Sequence, residues 1–436
     1  MRDRVYDPSR GSADTSPPTP SPTQRVRVLL AAGPALVTGA ADDDPSGIGT
    51  YSQVGAAFGF GLLWTTIVTL PLAAAVQETA ARLGITTGQG LATSIKRRFP
   101  PWVLYVAVAL VTTANVFNIG ADLGSMASSI RLLVPAPFAV VIVAVTGAMV
   151  SLEIAISYRR YARVLRWLTA SLAAYVAVLF VIKVDWGHVL RSTIVPALTW
   201  SRAELAAVIA ILGTTISPYL FFWQASEEVE EEEMEGTPLP TRSEPVDDHH
   251  VAAMRGDVVA GMGSAVIVMF AIMVASATAL HEHGITTVQT AQQAASALKP
   301  VAGSFASLLF TLGIVGTGAL AVPVLAGSAA YALAEAFGWH EGLSKTFRQA
   351  RGFYLVIVAA MATGLAMDFG GLDPIRGLYF AAILNGLAAP PLILLMMLLS
   401  NDERTVGRWL SGPWSDALAG LAFVAMVAAP VAYLLA

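Results

Sequence analysis

Apolar stretches of roughly 20 residues recur along the chain from residue 28 onward, and short polar segments separate them. A helix that crosses a bilayer needs roughly 20 predominantly apolar residues, so this pattern predicts an all-α polytopic membrane protein. Two of the stretches are interrupted by polar residues and proline, which predicts two broken helices. About eleven spans are expected, at 28–57, 59–83, 101–130, 137–157, 161–183, 203–233, 256–280, 302–335, 352–367, 374–399 and 412–434.

The first interruption, Asp-Asp-Asp-Pro-Ser-Gly at residues 42–47, lies inside the first span. A charged side chain within a bilayer costs roughly 2.5–3.5 kcal/mol, and such residues usually have a function. Pro45 has no backbone N–H and disfavours helix at Asp44, so carbonyls near Ala41 leave the helix. Carboxylate and carbonyl oxygens are the ligands that Mg²⁺, Ca²⁺ and Mn²⁺ prefer. The interruption therefore predicts a cation site with Asp44 as main ligand, although Asp44 could instead cap a helix or pair with an arginine.

The second interruption, Gly213–Tyr219, reads Gly-Thr-Thr-Ile-Ser-Pro-Tyr and lies five spans after the first. Two broken helices at corresponding places in two halves of five spans are the sequence signature of an inverted-repeat transporter. In that arrangement the breaks face each other, and Asp44 meets the backbone near Thr214 and Ser217. Taken alone, Pro218 could merely kink its helix, as many membrane prolines do.

Polar residues on the same and other spans are further candidates for this cavity. One of Asp42 and Asp43 is expected to face the ion, and the other to hydrogen-bond to a neighbouring helix. Asn115, Asn118 and Asp122 recur at i, i+3 and i+7, which places them on one helix face. This stripe indicates either a wet path or a seam of hydrogen bonds between helices. Weaker candidates are Gln77, Glu78 and Asn385.

Lysine and arginine are distributed unevenly between the two sides of the predicted bundle. With the N-terminus in the cytoplasm, 20 of the 26 fall on the cytoplasmic side, which agrees with the positive-inside rule. We therefore expect a multi-pass protein of the cytoplasmic membrane. Its predicted parts are a disordered cytoplasmic tail at 1–26, a transporter core at 27–400 (spans 1–5 at 28–183, spans 6–10 at 203–399) and an additional transmembrane helix at 401–436. The six basic residues assigned to the outer loops are Arg131, Lys183, Arg191, Arg202, Lys299 and Arg376.

Composition narrows the classes of function. The chain is 55% hydrophobic and has no cysteine, which excludes disulfides, thiolate catalysis and iron–sulfur clusters. The chain has no basic stretch interleaved with aromatic residues, so its sequence does not suggest binding to nucleic acid. The expected partners are divalent metal ions and the lipid bilayer, with no cofactor, no nucleic acid and no obligate protein partner. The acidic run at 227–235 is expected to be a solvated helix end, although it could concentrate cations at the inner mouth.

The two interruptions resemble the motifs of the NRAMP family of divalent-metal transporters. Asp44–Gly47 stands where that family has Asp-Pro-Gly-Asn, and Gly213–Tyr219 where it has Gly-Ala-Thr-Ile-Met-Pro-His. Further similarity lies in Ala80–Gly84 and Ala121–Leu123. The resemblance covers spans 1–10 and implies a LeuT-type fold, a 5+5 inverted repeat with broken helices 1 and 6 and the ion bound between them.

Two departures from the family pattern bear on the ion. Gly47 stands at the family's Asn and Ser217 at its Met. A methionine thioether is soft and favours transition metals, so a serine hydroxyl removes that preference. The missing Asn side chain is expected to widen the cavity for a partly hydrated ion such as Mg²⁺. The pattern resembles the NRAMP-related magnesium transporter branch, with Mg²⁺ and Mn²⁺ as leading substrates. The implied metal site comprises Asp44, Ala41, Gly47, Thr214 and Ser217, surrounded by Asp43, Asp122, Tyr219 and Asn385.

Proton coupling is not expected. The family's proton route uses an Asp and a Glu on span 3 and a His after the span 6 proline. Here Asp122 remains, but Ser125 and Tyr219 replace the other two. A tyrosine, with a reference pKa of about 10, carries protons poorly at neutral pH. We therefore expect gradient-driven transport and no enzyme activity. The alternatives are a proton-coupled Mn²⁺/Fe²⁺ importer of the usual family type, an organic-substrate symporter of the same fold, and a membrane enzyme such as an Asp-rich prenyltransferase.

Overall fold

The computed structural model describes residues 38–39, 41–155, 173–235, 248–371 and 373–436, and the regular structure of these residues is helical. The predicted tail, the first part of span 1 and the first half of span 5 lie outside the described residues. The helices are α1 Pro45–Phe58, α2 Trp64–Thr87, α3 Leu91–Arg98, α4 Pro101–Ile130, α5 Phe138–Ala155, α6 Ala173–Val181, α7 Trp186–Ile194, α8 Arg202–Thr215, α9 Pro218–Glu235, α10 Asp248–Ala279, α11 Ala291–Ser296, α12 Lys299–Ala302, α13 Ala306–Phe337, α14 Arg351–Asp368, α15 Pro374–Ser400, α16 Glu403–Val406 and α17 Pro413–Leu435.

Eight segments of the described chain are long and apolar enough to cross a membrane. They correspond to the predicted spans 3, 4 and 6–11, and one of them, Arg202–Glu233, contains both halves of the second broken span. The predicted second span is α2, which is 24 residues long but buries the polar side chains of Gln77, Glu78 and Arg82. The prediction of an all-α polytopic architecture is confirmed.

Local sequence signals explain where the helices near the first break begin and end. α1 begins at Pro45, because a proline fixes φ and needs no hydrogen-bond acceptor in the first turn of a helix. It ends before Gly59, whose φ of 57° favours a residue without a β-carbon. α2 ends before Gly88, whose left-handed backbone is a common helix C-terminus. α2 therefore occupies 64–87, a few residues later than the predicted 59–83.

Small residues let the helices beside the breaks approach closely. A β-carbon on Gly213 of α8 would lie 2.0 Å from the carbonyl oxygen of Ala382 on α15. A β-carbon on Gly120 of α4 would lie 3.0 Å from the carbonyl oxygen of Gly364 on α14. Contacts of this kind are typical of helix packing in membranes. They hold α15 against α8, and α14 against α4, so that the polar faces of α4 and α15 lie close to the broken helices.

Candidate cation site

The first break separates the helical residues 41–42 from α1, and Asp44 lies between them in extended conformation. The Asp44 Oδ1 atom accepts hydrogen bonds from the Ser46 hydroxyl at 2.6 Å and the Gly47 N–H at 2.7 Å. Asp44 therefore caps α1, as one of the alternative interpretations of the sequence held. The residue is 1% exposed. Because carboxylates can bind through either oxygen, this capping role is compatible with metal binding.

The second break lies between α8, which ends at Thr215, and α9, which begins at Pro218. Pro218 thus separates two helices and does not merely kink one. The Ser217 hydroxyl donates to the carbonyl oxygens of Gly213 at 2.7 Å and Thr214 at 2.8 Å. These carbonyls lie at the C-terminal end of α8, where the helix dipole attracts cations. The Ser217 oxygen acts as donor in these bonds, so its lone pairs can coordinate an ion.

The two breaks meet, as the inverted-repeat hypothesis predicted. The hydroxyl oxygens of Ser46 and Thr214 are 3.1 Å apart. The Tyr219 hydroxyl donates to the carbonyl oxygen of Ala41 at 2.9 Å. The predicted residues Ala41, Asp44, Thr214 and Tyr219 therefore take part in two hydrogen-bonded links between the halves of the chain, Ala41–Tyr219 and Asp44–Ser46–Thr214.

Buried carboxylates surround this meeting point. Asp42, Asp43, Asp44 and Asp122 are all buried, and Asp122 on α4 is close enough to Asp44 for their charges to interact. Both carboxylate oxygens of Asp42 and of Asp122 lack a hydrogen-bond partner. Within the described ranges, none of the four acids forms a salt bridge. Unpaired carboxylates are costly to bury, so the cluster favours a cation among them.

The space beside Gly47 is filled. A β-carbon on Gly47 would lie 3.3 Å from both the carbonyl oxygen of Asp42 and Cε2 of Tyr51. The prediction of a wider cavity at Gly47 is therefore wrong, and this residue contributes to the site only through its backbone. Sequence reasoning missed Tyr51, although it lies seven residues after Asp44 and therefore on the same face of α1. Its hydroxyl oxygen is 2.8 Å from Thr215 Oγ1, which adds a second link between the two broken helices.

The polar stripe on α4 has two functions. The Asn115 side chain donates to the carbonyl oxygen of Leu325 on α13 at 2.9 Å, so this end of the stripe is a seam between helices. Neither polar atom of the buried Asn118 side chain has a partner, and the same holds for Asp122. Asn385 on α15 is also buried with both polar side-chain atoms unpaired, one residue before the close contact of α15 with α8. Asn118 lies one helical turn before Asp122 on α4, and Asn385 lies next to the crossing of α15 with α8.

Gln224 on α9 joins three segments and was not singled out from the sequence. Its Oε1 atom accepts hydrogen bonds from the Thr38 hydroxyl at 2.5 Å and from Gln77 Nε2 at 3.1 Å. Its Nε2 atom donates to Glu228 Oε1 at 2.6 Å. Gln77 therefore helps to connect α2 with α9. This connection lies beyond the second break, on the side away from α1. The available signal was an amide side chain within an apolar helix.

Glu78, the other weak candidate on α2, has a structural role. Its Oε1 atom lies 3.0 Å from the guanidinium of Arg255 on α10 and 3.5 Å from that of Arg82. Its Oε2 atom accepts a hydrogen bond from the Ser415 hydroxyl on α17 at 2.8 Å, and Arg82 donates to the Ser411 hydroxyl at 2.9 Å. The suggestion that Glu78 faces the ion cavity is wrong, because its carboxylate pairs with two arginines and accepts a hydrogen bond from α17.

The acidic run is partly buried. Glu227, Glu228 and Glu230 are less than 10% exposed, so the prediction of a solvated helix end is wrong for these residues. The Glu230 carboxylate accepts a hydrogen bond from the Ser344 N–H at 2.5 Å and another from the Tyr331 hydroxyl. The beginning of the run therefore fixes α9 to α13 and to the segment that follows α13.

Comparisons with known proteins agree with this geometry. The family model described as "Natural resistance-associated macrophage protein-like" (Nramp) matches residues 35–436. The chain belongs to the Nramp family. Two relatives are named "Divalent metal cation transporter MntH". The protein from Caldanaerobacter subterraneus subsp. tengcongensis is 26% identical over 389 residues, 87% of each chain, and that from Klebsiella pneumoniae subsp. pneumoniae is 27% identical over 417 residues, 93% of each chain.

Solved structures show the fold of this Nramp chain. The Eremococcus coleocola manganese transporter has a TM-score of 0.71 at 17% identity, over 98% of this chain and 90% of its own. Mhp1, a nucleobase-cation-symport-1 family transporter, has a TM-score of 0.59 at 15% identity, over 93% and 91%. The prediction of a LeuT-type fold is confirmed, and the chain is an integral multi-pass membrane protein.

Proposed function

We propose that this Nramp chain carries divalent cations across the membrane by alternating access, with Mg²⁺ and Mn²⁺ as its leading substrates. The observation that supports this most directly is that two broken helices meet at buried carboxylates that form no salt bridge within the described chain. The relatives named above are divalent metal cation transporters, and a manganese transporter shares the fold.

The proposed ligands are hard oxygen atoms. Asp44 supplies a carboxylate, Ala41 and Thr214 supply carbonyl oxygens, and Ser217 supplies a hydroxyl. The Ala41 carbonyl accepts a hydrogen bond from Tyr219 and the Thr214 carbonyl accepts one from Ser217, so these donors would turn aside when an ion binds. Hard oxygens suit Mg²⁺ and Mn²⁺, and the hydroxyl of Ser217 replaces the soft thioether that the family motif carries at this position.

We also propose that transport is uncoupled from protons and that the N-terminus is cytoplasmic. Ser125, which stands where the family has a Glu, donates its hydroxyl to the backbone carbonyl of Asp122 in its own helix. Tyr219, which stands where the family has a His, donates to the Ala41 carbonyl. Neither group titrates near neutral pH in its reference state. The electrochemical gradient of the cation then drives its movement, and the positive-inside rule supplies the orientation.

The test of this function is metal uptake into proteoliposomes by the wild type and by Asp44→Asn. Asparagine still accepts the hydrogen bonds that cap α1 but has no charge. Interactions with a charged group are worth about 1.5–3 kcal/mol, so we expect the apparent affinity for Mn²⁺ and Mg²⁺ to fall by roughly 10- to 100-fold.

Asp185→Asn is the matched control. Asp185 caps α7 through the His188 N–H, is exposed, and lies outside the cluster of site residues. We expect this variant to transport like the wild type. Wild-type vesicles that take up neither ion would refute the function, whereas normal uptake by Asp44→Asn would refute only the site.

A further inference from the structure

A cavity of about 550 Å³ lies between α1, α8, α15 and the segment 286–289. The distribution of Lys and Arg assigns this end of the bundle to the outside. Gln53 of α1 accepts a hydrogen bond from the Val288 N–H at 2.7 Å, which joins α1 to the segment 286–289. The cavity is therefore bounded by both broken helices, and its walls are tied to each other.

The wall of this cavity reaches along α1 to within two turns of the candidate cation site. Gly49, which lines the cavity, is five residues after Asp44, a rise of about 7 Å along α1. The contact between α1 and α15 is tight here, because a β-carbon on Gly49 would lie 2.8 Å from Leu378 Cδ1. The Tyr51–Thr215 hydrogen bond also joins α1 to α8. The cavity thus lies on the predicted outer side of Asp44, and we interpret it as the outer vestibule of the proposed transporter.

Among the described residues that line the vestibule, Arg376 is the one that carries a charge. Within the described chain, its guanidinium forms no salt bridge. The nearest acid in the sequence, Asp373, uses its Oδ1 atom to accept from the Ile375 and Arg376 N–H groups. Asp373 lines an adjoining cavity together with Arg131 and is not among the residues that line the vestibule. The positive charge of Arg376 is therefore not neutralised by a partner on the vestibule wall.

A lone positive charge in the entrance to a cation site opposes the approach of the ion. The repulsion is twice as large for a divalent as for a monovalent cation, because the energy scales with the product of the charges. Low-dielectric walls focus the potential in a cleft, and mobile salt screens it. A charged residue in this position changes how often ions reach the site. It does not contact the ion after the ion has bound.

We propose that Arg376 sets the apparent affinity for divalent cations from the outer side by electrostatic repulsion in the vestibule. This inference rests on the proposed transport function and on the predicted orientation. It makes Arg376 a residue that determines the concentration range in which the transporter works. The maximal rate and the bound state do not depend on it.

The experiment measures initial rates of Mn²⁺ and Mg²⁺ uptake into right-side-out membrane vesicles against external ion concentration. It compares the wild type with Arg376→Gln, Arg376→Glu and Arg376→Lys at ionic strengths of about 0.01 M and about 1 M, where the Debye length is about 30 Å and about 3 Å. Arg191→Gln is the matched control. Arg191 is an exposed residue of α7 assigned to the same side of the membrane, and it lines neither of the two cavities named above.

At low ionic strength we expect KM to fall by roughly three- to tenfold in Arg376→Gln and further in Arg376→Glu, with unchanged maximal rates. Arg376→Lys and Arg191→Gln should retain the wild-type KM, and the differences should disappear at high ionic strength. An unchanged KM in Arg376→Glu would overturn the inference. So would a change that persists at high ionic strength, because that result indicates altered packing. Absence of uptake by the wild type would instead refute the transport function itself.

Discussion

Ser217 and Asp44 are both buried at the breaks, but they differ in how many segments depend on them. The Asp44 carboxylate accepts hydrogen bonds from Ser46 and Gly47, so it fixes the start of α1, and Ser46 in turn contacts Thr214 on α8. The hydrogen bonds given by the Ser217 hydroxyl go only to carbonyls of α8, immediately before it in the chain. Ser217 can therefore be exchanged without cutting a connection between α1 and the second half of the chain, which makes it the better position for testing ion preference.

We expect Ser217→Met to shift the preference from Mg²⁺ toward Mn²⁺ by roughly three- to tenfold in the ratio of dissociation constants. A thioether is a soft ligand that Mg²⁺ does not accept. Because Ser217 is buried, the larger side chain must also displace neighbours, and the uptake of both ions should decrease.

The measurement is calorimetric titration of the purified protein with each ion. Ser217→Ala removes the hydroxyl without adding sulfur and serves as the control. If all three proteins share one Mn²⁺/Mg²⁺ ratio, the soft-ligand argument is wrong.

At the scale of the helix, the two breaks followed from local rules. Pro45 and Pro218 each begin a helix, and Asp44 is a favourable helix cap, so the positions of both interruptions could be read from neighbouring residues. The meeting of the breaks also followed from the five-span spacing, and the Ser46–Thr214 contact agrees with it.

What failed was the assignment of polar residues whose partners are distant in sequence. Gln77 and Glu78 are adjacent polar residues in one apolar helix, yet Gln77 bonds to Gln224 and Glu78 to Arg255 and Ser415. A local pattern shows that each needs a partner but not which helix supplies it. The prediction of a solvated helix end for the acidic run was wrong for the same reason. The burial of these residues depends on α13 and on the segment after it. The prediction of a wider cavity at Gly47 was also wrong. The absence of one side chain does not show which neighbouring residues fill its place.

The crossing of α8 and α15 beside the second break is expected to tolerate no side chain at Gly213. In Gly213→Ala the new methyl group would overlap the backbone of Ala382 and Gly386, so the helices must separate. Overpacking of this kind costs about 1–3 kcal/mol, and we expect a lower thermal unfolding temperature in detergent together with reduced uptake.

Gly263→Ala is the control for the intrinsic helix preference of alanine. Gly263 lies within α10, and a β-carbon there would have no heavy atom within 4 Å. We expect this substitution to be neutral or to stabilise by up to about 1 kcal/mol, since alanine favours helix over glycine. Equal melting temperatures for the two variants would contradict the close approach of α8 and α15.

At the scale of the whole molecule, the groups that replace the family's proton carriers predict that metal movement leaves the pH of the vesicle lumen unchanged. Tyr219 and Ser125 both donate to backbone carbonyls and do not titrate near neutral pH in their reference states. The measurement is simultaneous recording of Mn²⁺ entry and of a pH-sensitive dye trapped in proteoliposomes. Asp122→Asn removes the remaining carboxyl group of the family's proton route and should leave the dye signal as flat as in the wild type. Acidification that follows Mn²⁺ entry would show coupling and favour the alternative of a proton-driven importer.

The attachment of α17 to α2 has a consequence for any shortened form of this protein. Ser411 and Ser415 supply hydrogen bonds to Arg82 and Glu78, and Arg255 also pairs with Glu78. A polypeptide that stopped at Ser400 would lose both hydroxyls, and these buried groups would be left with each other and Arg255 as partners. The final 36 residues are in this sense part of the polar packing around α2, and a ten-span version would need other hydrogen-bond donors beside positions 78 and 82.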